Sequence, residues 1–149
     1  GEVSLPGGKS DNTDATPVDT AMREAKEEVG IASQDLSILG CLGPLLSKHG
    51  LVVTPVVSTV AAHCVPRPRT EEVDVVFKTP LSTFLKPENH FARLYHENDT
   101  PYTIHFFKYR DEEHQQDHVI WGLTAAILIR VATIVYNKEP LFPKHISAM

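Results

Sequence analysis

Arg23-Glu24-Ala25-Lys26-Glu27-Glu28-Val29-Gly30 packs three carboxylates into one short segment. At ~100° per residue in a helix, Glu24, Glu27 and Glu28 share a sector of about 100°. Glu24 and Glu28 are i,i+4 neighbours, and like charges there repel. A divalent cation among them would turn that repulsion into attraction, and hard carboxylate oxygens suit Mg²⁺ or Mn²⁺. Upstream, Pro6-Gly7-Gly8 offers backbone that can approach a ligand closely and present N–H and C=O groups to it. Glycine bend and acidic helix together make a candidate phosphate-and-metal site. The competing interpretation is a solvated acidic face with Arg23 and Glu27 as an ordinary i,i+4 pair.

The elements that must position these residues are legible. Thr16 can cap a helix over about 17–29, with Pro17 in its first turn, Asp19 at the capping-box position and Gly30 just beyond its end. Val18, Ala21, Met22, Ala25 and Val29 form its apolar stripe. Val3 to Leu5 reads as a strand end stopped by Pro6, and residues 9–16 as loop. Leu36–Leu42, Leu51–Ala62 and Val73–Thr79 read as strands, and Pro80–Leu85 as a short helical turn. Phe91–Tyr95 and Tyr102–Tyr109 read as a hairpin around Asn98-Asp99. Arg110–His118 reads as a polar loop, and Leu123–Tyr136 as a buried helix, apolar nearly all round.

Composition narrows the class. The chain has 149 residues, 42% of them hydrophobic and 22% charged, as one globular α/β domain would. Its net charge of −5 argues against a duplex nucleic-acid binder. The apolar run from Trp121 to Tyr136 holds Arg130 and is short for a membrane span. Cys41 and Cys64 form no CxxC pair and suit a reducing intracellular compartment. No G-x-S-x-G, Walker A or G-x-G-x-x-G motif occurs. His114 and His118 lie four apart without a third ligand pattern, and read as loop histidines rather than a zinc pair. Nothing in the pattern points to an oligomeric state.

Gly8 to Ile31 resembles the Nudix box, in which a glycine and a glutamate precede R-E-U-x-E-E-x-G-U with U aliphatic. Gly8, Arg23, Glu24, Glu27, Glu28, Gly30 and Ile31 match in order. Asp14 stands where the box has its first glutamate, one residue further from Arg23 than the pattern spaces it, and Ala25 is a small U. Gly1-Glu2-Val3-Ser4-Leu5-Pro6-Gly7-Gly8 is similar to the G-x-x-x-F-P-G-G that enters the box in the coenzyme A diphosphatase branch, with Leu5 for Phe. Leu51–Val57, then Glu72-Val73, Phe77, Pro80 and Leu81, and Trp121-Gly122-Leu123-Thr124-Ala125 resemble later stretches of that branch. The resemblance implies an α/β/α Nudix sandwich with a mixed β-sheet, a single domain over 1–149. Its N-terminal strands and the upstream part of the branch signature are expected to precede Gly1, and a chain lacking them to be less stable than the full protein.

The resemblance also implies hydrolysis of the diphosphate in coenzyme A or acyl-CoA to 3′,5′-ADP and (acyl-)4′-phosphopantetheine, with Mg²⁺ or Mn²⁺ as cofactor. It assigns Glu24 and Glu28 as main metal ligands, Glu27 as third ligand or water-orienting base, the Gly7 carbonyl as a candidate ligand, and Arg23 as a residue that orients a glutamate. Glu72, with Glu71 second, is the candidate distal base. Lys9, Lys48, Arg67 and Arg69 are candidates for the substrate's phosphates. Two other functions stay open: a broader nucleoside-diphosphate-X or oxidised-nucleotide hydrolase, and a catalytically silent nucleotide-binding module. Members of this branch occur in peroxisomes and mitochondria, and the Ser147-Ala148-Met149 ending is not the S-K-L address.

Overall fold

Helix α1 forms over Pro17–Val29 because its two ends are chemically specified. Thr16 Oγ1 accepts from the Asp19 N–H, and Asp19 Oδ2 accepts from the Thr16 N–H, closing a capping box. At the other end Gly30 adopts φ 73°, and its N–H donates to the Lys26 carbonyl. Ala25 and Val29 on the apolar stripe are buried with Ile31, against Leu36, Cys64 and Val76.

The structure, a computed structural model, describes residues 1–148; the final position of the Ser147-Ala148-Met149 ending lies outside them. The chain divides into two compact units, Leu5–Val76 and a second made of Gly1–Ser4 with the chain from Phe77 on. In the first unit α1 is followed by a short 3₁₀ turn, Ser33–Asp35, and strand β1, Leu36–Cys41. Strands β2, Leu45–Leu46, and β3, Val52–Val53, form a small antiparallel pair, and β4, Val56–Val60, pairs antiparallel with β1. Leu51–Ala62 is thus two strands rather than one. Pro55, which has no N–H to donate, interrupts it, although its carbonyl still accepts from the Leu42 N–H at 2.9 Å.

In the second unit, Leu81–Leu85 is a 3₁₀ turn and β5, His90–Glu97, β6, Thr100–Asp111, and β7, Gln116–Trp121, form an antiparallel meander. Asn98 and Asp99, both at positive φ, make the tight turn between β5 and β6. Helix α2, Gly122–Tyr136, ends at Asn137 in the left-handed region. Phe84, Phe107 and Ile120 are almost wholly buried and center the core, with Ala125, Ile129, Ala132 and Phe142 around them.

Several expectations are corrected. Val3–Leu5 and Val73–Thr79 form no strand; β-branched content favours extended backbone, but a strand needs an edge to pair with. Val76 packs into the core of the first unit and Phe77 into that of the second, so the segment is held by its side chains. Arg110–His118 is no loop. β6 and β7 continue through it, Arg110 pairing with Asp117, and only residues 112–115 turn. Buried Asp111 closes that turn, accepting from the N–H groups of Glu113 and His114 and from His114 Nδ1 at 2.6 Å. The exposed polar residues 112–117 thus sit on a turn and strand anchored by one buried carboxylate. His118 Nε2 lies 3.7 Å from Asp111 Oδ2 without a hydrogen bond, and its ring stacks on Phe77. Helix α2 is buried through Ala125, Ile127, Ile129 and Ala132, but Ile134, Val135 and Tyr136 in its last turn are exposed. Every strand pairing among the described residues is antiparallel, where a mixed sheet is expected; the α/β class stands.

Candidate metal and diphosphate site

The acidic face of α1 lies within the first unit, and its geometry is set by Arg23. The guanidinium spans Asp14, with Nε 3.1 Å from Oδ1 and Nη2 2.9 Å from Oδ2. Its Nη1 donates to Glu24 Oε1 at 3.3 Å and Glu27 Oε2 at 3.2 Å, and Nη2 to the Lys9 carbonyl at 3.0 Å. Asp11 adds an ion pair at 3.2 Å. These bonds push Arg23 further up and hold the Asp14 carboxyl down at about 2, first through the Arg23 hydrogen bond and then through the Asp11 N–H. With all three nitrogens engaged, Arg23 positions other groups and has no donor left for a ligand. Asp14, at the box's glutamate position, is thereby the anchor of Arg23, and Thr20 donates to the same carboxylate at 3.0 Å. Spacing alone does not pair Lys9 or Asp11 with Arg23; the acidic and polar run at 11–14 is the one local signal for it.

Glu24 and Glu28 adjoin on the helix. Burial first, then the Glu24 carboxyl and the charge of Glu72, push the Glu28 carboxyl above its ordinary value, while the Gly7 N–H, 3.3 Å from Glu28 Oε1, pulls it back. Gly8 lies so close to Glu24 that a Cβ there would collide with the carboxylate. Glycine here leaves room for the Glu24 carboxylate, which a larger side chain would have to displace. The bend thus touches both carboxylates: Gly7 by its N–H and Gly8 by its bare Cα.

The other expected site residues distribute unevenly. Glu27 is turned to Arg23, with its side chain about half exposed (56%) against 16% for Glu24. Glu71 and Glu72 are exposed on the loop after Arg69, and only Glu72 is felt electrostatically by Glu28. Lys9 is exposed, Lys48 sits in the β2–β3 turn, and Arg67 and Arg69 lie on the loop whose N–H groups bond to the end of α1. Among the described residues no three His, Cys, Asp or Glu side chains converge as a metal cage. A crowded pair of carboxylates over bare glycine fits Mg²⁺ nonetheless, since that ion is usually held by one or two carboxylates, with waters and substrate phosphates filling the rest.

Comparison with known proteins gives this geometry its family. Residues 1–120 match the NUDIX domain. The chain is 43% identical over 144 residues to Nudix hydrolase 15, mitochondrial, of Arabidopsis thaliana, covering 95% of this chain and 50% of that protein. It is 42% identical over 144 residues to Nudix hydrolase 22, chloroplastic, of the same plant, covering 95% and 47%. Against the peroxisomal coenzyme A diphosphatase NUDT7 of Mus musculus it is 34% identical over 142 residues, covering 95% and 60%. The chain therefore spans about half the length of the curated relatives it matches. Among the described residues no helix is long and apolar enough to cross a membrane. By the match across most of its length, the chain belongs to the Nudix family.

Proposed function

We propose that the protein hydrolyses the diphosphate bond of coenzyme A or an acyl-CoA, giving 3′,5′-ADP and (acyl-)4′-phosphopantetheine, with Mg²⁺ or Mn²⁺ held by Glu24 and Glu28. The observation that carries this is the Glu24–Glu28 pair against Gly7 and Gly8 in a Nudix sequence; the mouse coenzyme A diphosphatase supports the substrate. A diphosphate needs charge neutralisation, an in-line water and a stabilised leaving group. When bound, the metal supplies electrophilic stabilisation of the phosphoryl oxygens and lowers the proton affinity of a bound water. This chain's residues do the rest. Arg23 fixes Glu24 and Glu27, the Gly7 N–H orients Glu28, and Glu27 or Glu72 accepts a proton from the attacking water. Lys9 and Lys48 meet the phosphates, with Arg67 and Arg69 as further candidates, and the Gly7 carbonyl is a candidate ligand. The two units act as one Nudix domain, a reading supported by a family match that runs through both. The setting is a mitochondrion or peroxisome, in line with the names of two relatives.

A second reading, a broader nucleoside-diphosphate-X hydrolase, is favoured by the higher identity to two plant Nudix hydrolases whose names specify no substrate. Incubating the protein and Mg²⁺ with CoA, acyl-CoAs, other nucleoside diphosphate derivatives and oxidised nucleotides, then resolving the products, separates the two. Fastest turnover of CoA or an acyl-CoA to 3′,5′-ADP is expected. Faster turnover of another diphosphate would replace the substrate assignment, and no turnover of any, with metal still bound, would indicate a silent nucleotide-binding module.

A further inference from the structure

The outer face of the β5–β6–β7 meander carries a row of rings. Phe91, Phe106 and Trp121 are register partners on neighbouring strands. They therefore share a face, opposite the one that buries Phe107 and Ile120. The Phe91 and Phe106 rings are parallel within 3° with centroids 4.7 Å apart, and those of Phe106 and Trp121 within 8° at 5.7 Å. All three rings are partly exposed, and the row ends at Phe91 because β5 is an edge strand. Cations flank that end. Arg93 Cζ lies 5.6 Å from the Phe91 centroid and Lys108 Nζ 5.7 Å from it. Such contacts hold a charge in place without using its N–H donors. Among the described residues no carboxylate pairs with Lys86, Arg93 or Lys108. Lys86 and Lys108 also line a cleft of about 300 Å³, together with Asn89, Arg110 and one acid, Glu88. Arg110 is engaged, donating to Asp117 at 3.3 Å and to Gln115 at 3.1 Å. Two uncommitted ammonium groups thus stand beside the open end of a ring row, an arrangement that suits an anion carrying a flat ring.

We propose that this face binds a purine nucleoside monophosphate, its base continuing the Phe91–Phe106–Trp121 row and its phosphate meeting Lys108 and Lys86. A flat base extends a ring row that stops at a strand edge, and the larger purine offers more stacking area. A mononucleotide sets its base and phosphate one ribose apart, comparable with the 5.7 Å from the Phe91 ring to the Lys108 ammonium. A nucleic-acid strand fits less well, because the chain carries a net charge of −5 and Glu88 and Asp117 border the cations. The site lies wholly within the second unit and needs no metal, so it does not rest on the carboxylates of α1.

Trp121 is the sole tryptophan of the chain and reports on the row. Titrating the full chain in chelator with AMP, adenosine and ribose 5-phosphate, followed by Trp121 fluorescence and by saturation-transfer NMR, tests the proposal. Saturable AMP binding is expected, with strongest transfer to the adenine protons and with adenosine and ribose 5-phosphate each about tenfold weaker. Phe91→Leu should weaken AMP about tenfold and leave ribose 5-phosphate unchanged. Lys108→Gln should also weaken AMP about tenfold, leave adenosine unchanged and flatten the salt dependence. Because Lys108 is exposed, that variant carries the test should Phe91→Leu fold poorly. No saturable AMP binding by the parent, parent affinity in either folded variant, or ribose 5-phosphate binding as tightly as AMP would overturn the proposal. A short oligoadenylate that binds far more tightly than AMP would replace it with a single-stranded RNA surface. With chelator present throughout, each of these results leaves the metal site standing.

Discussion

Glu28→Gln should make the protein more stable without metal and less stable with it. Glu28 lies half-buried beside Glu24, one turn away on the same helix, with the charge of Glu72 added. An exposed i,i+4 like-charge pair costs about 0.2–0.5 kcal/mol. Partial burial and a third carboxylate raise that, and solvent screening limits it, to on the order of 1 kcal/mol. For a chain of this size 1 kcal/mol corresponds to roughly 2–4 °C in Tm. Gln keeps an oxygen to accept from the Gly7 N–H, so the change removes charge and little else. The sign follows from protons. With its carboxyl raised, folded Glu28 holds a proton more tightly than the unfolded chain does, so ionising it costs stability as pH rises from the ordinary value of 4.5. The advantage of the variant should therefore open above that pH. Magnesium at a hundred times its Kd stabilises the parent by about 2.7 kcal/mol, and the variant by far less. Thermal melts in chelator and in Mg²⁺, for both proteins, should show the order of stability cross. A variant that melts lower in chelator, or an equal Mg²⁺ shift in both, would falsify the carboxylate pairing.

Other outcomes follow from the same structure. Asp14 is held at about 2 by Arg23, so the stability it contributes is present above its ordinary 3.8 and lost as pH falls through about 2; Asp14→Asn should flatten that acid limb in denaturant titrations. The His90 ring is pushed down to about 4 by burial and by His105, whose Nδ1 is 2.9 Å from His90 Nε2. The unfolded chain therefore binds a proton first, and stability should fall as pH drops from 6.5 towards 4, with the His90 ring proton titrating near 4 by NMR. Thr16→Ala removes the cap of α1 and should cost about 1 kcal/mol in urea unfolding. Phe107→Ala, at a side chain wholly buried against Phe84, should cost about 3–5 kcal/mol by the same measurement.

What the sequence made legible was local chemistry. Thr16, Asp19 and Gly30 encode both ends of α1 in their own side chains and backbone freedom, and the helix spans Pro17–Val29 as they require. The Asn98-Asp99 turn is similarly self-specified. Pairing partners are not local, which is why Val73–Thr79, rich in strand formers, forms no strand and polar Arg110–His118 does. The same holds at the site. Three glutamates on one face are visible from spacing, but not that Arg23 bonds both Glu24 and Glu27 while Glu24 also crowds Glu28. That Arg69 lies over Gly30 depends on the path of a loop some forty residues away, which no periodicity records.

The central claim is that Glu24 and Glu28 together capture a divalent cation. Calorimetric titration of the metal-free protein with Mg²⁺, set beside the Glu24→Gln/Glu28→Gln double variant, tests it most directly. The account predicts a saturating heat in the parent that disappears in the folded double variant. The same heat in both proteins, or none in the parent, would contradict it.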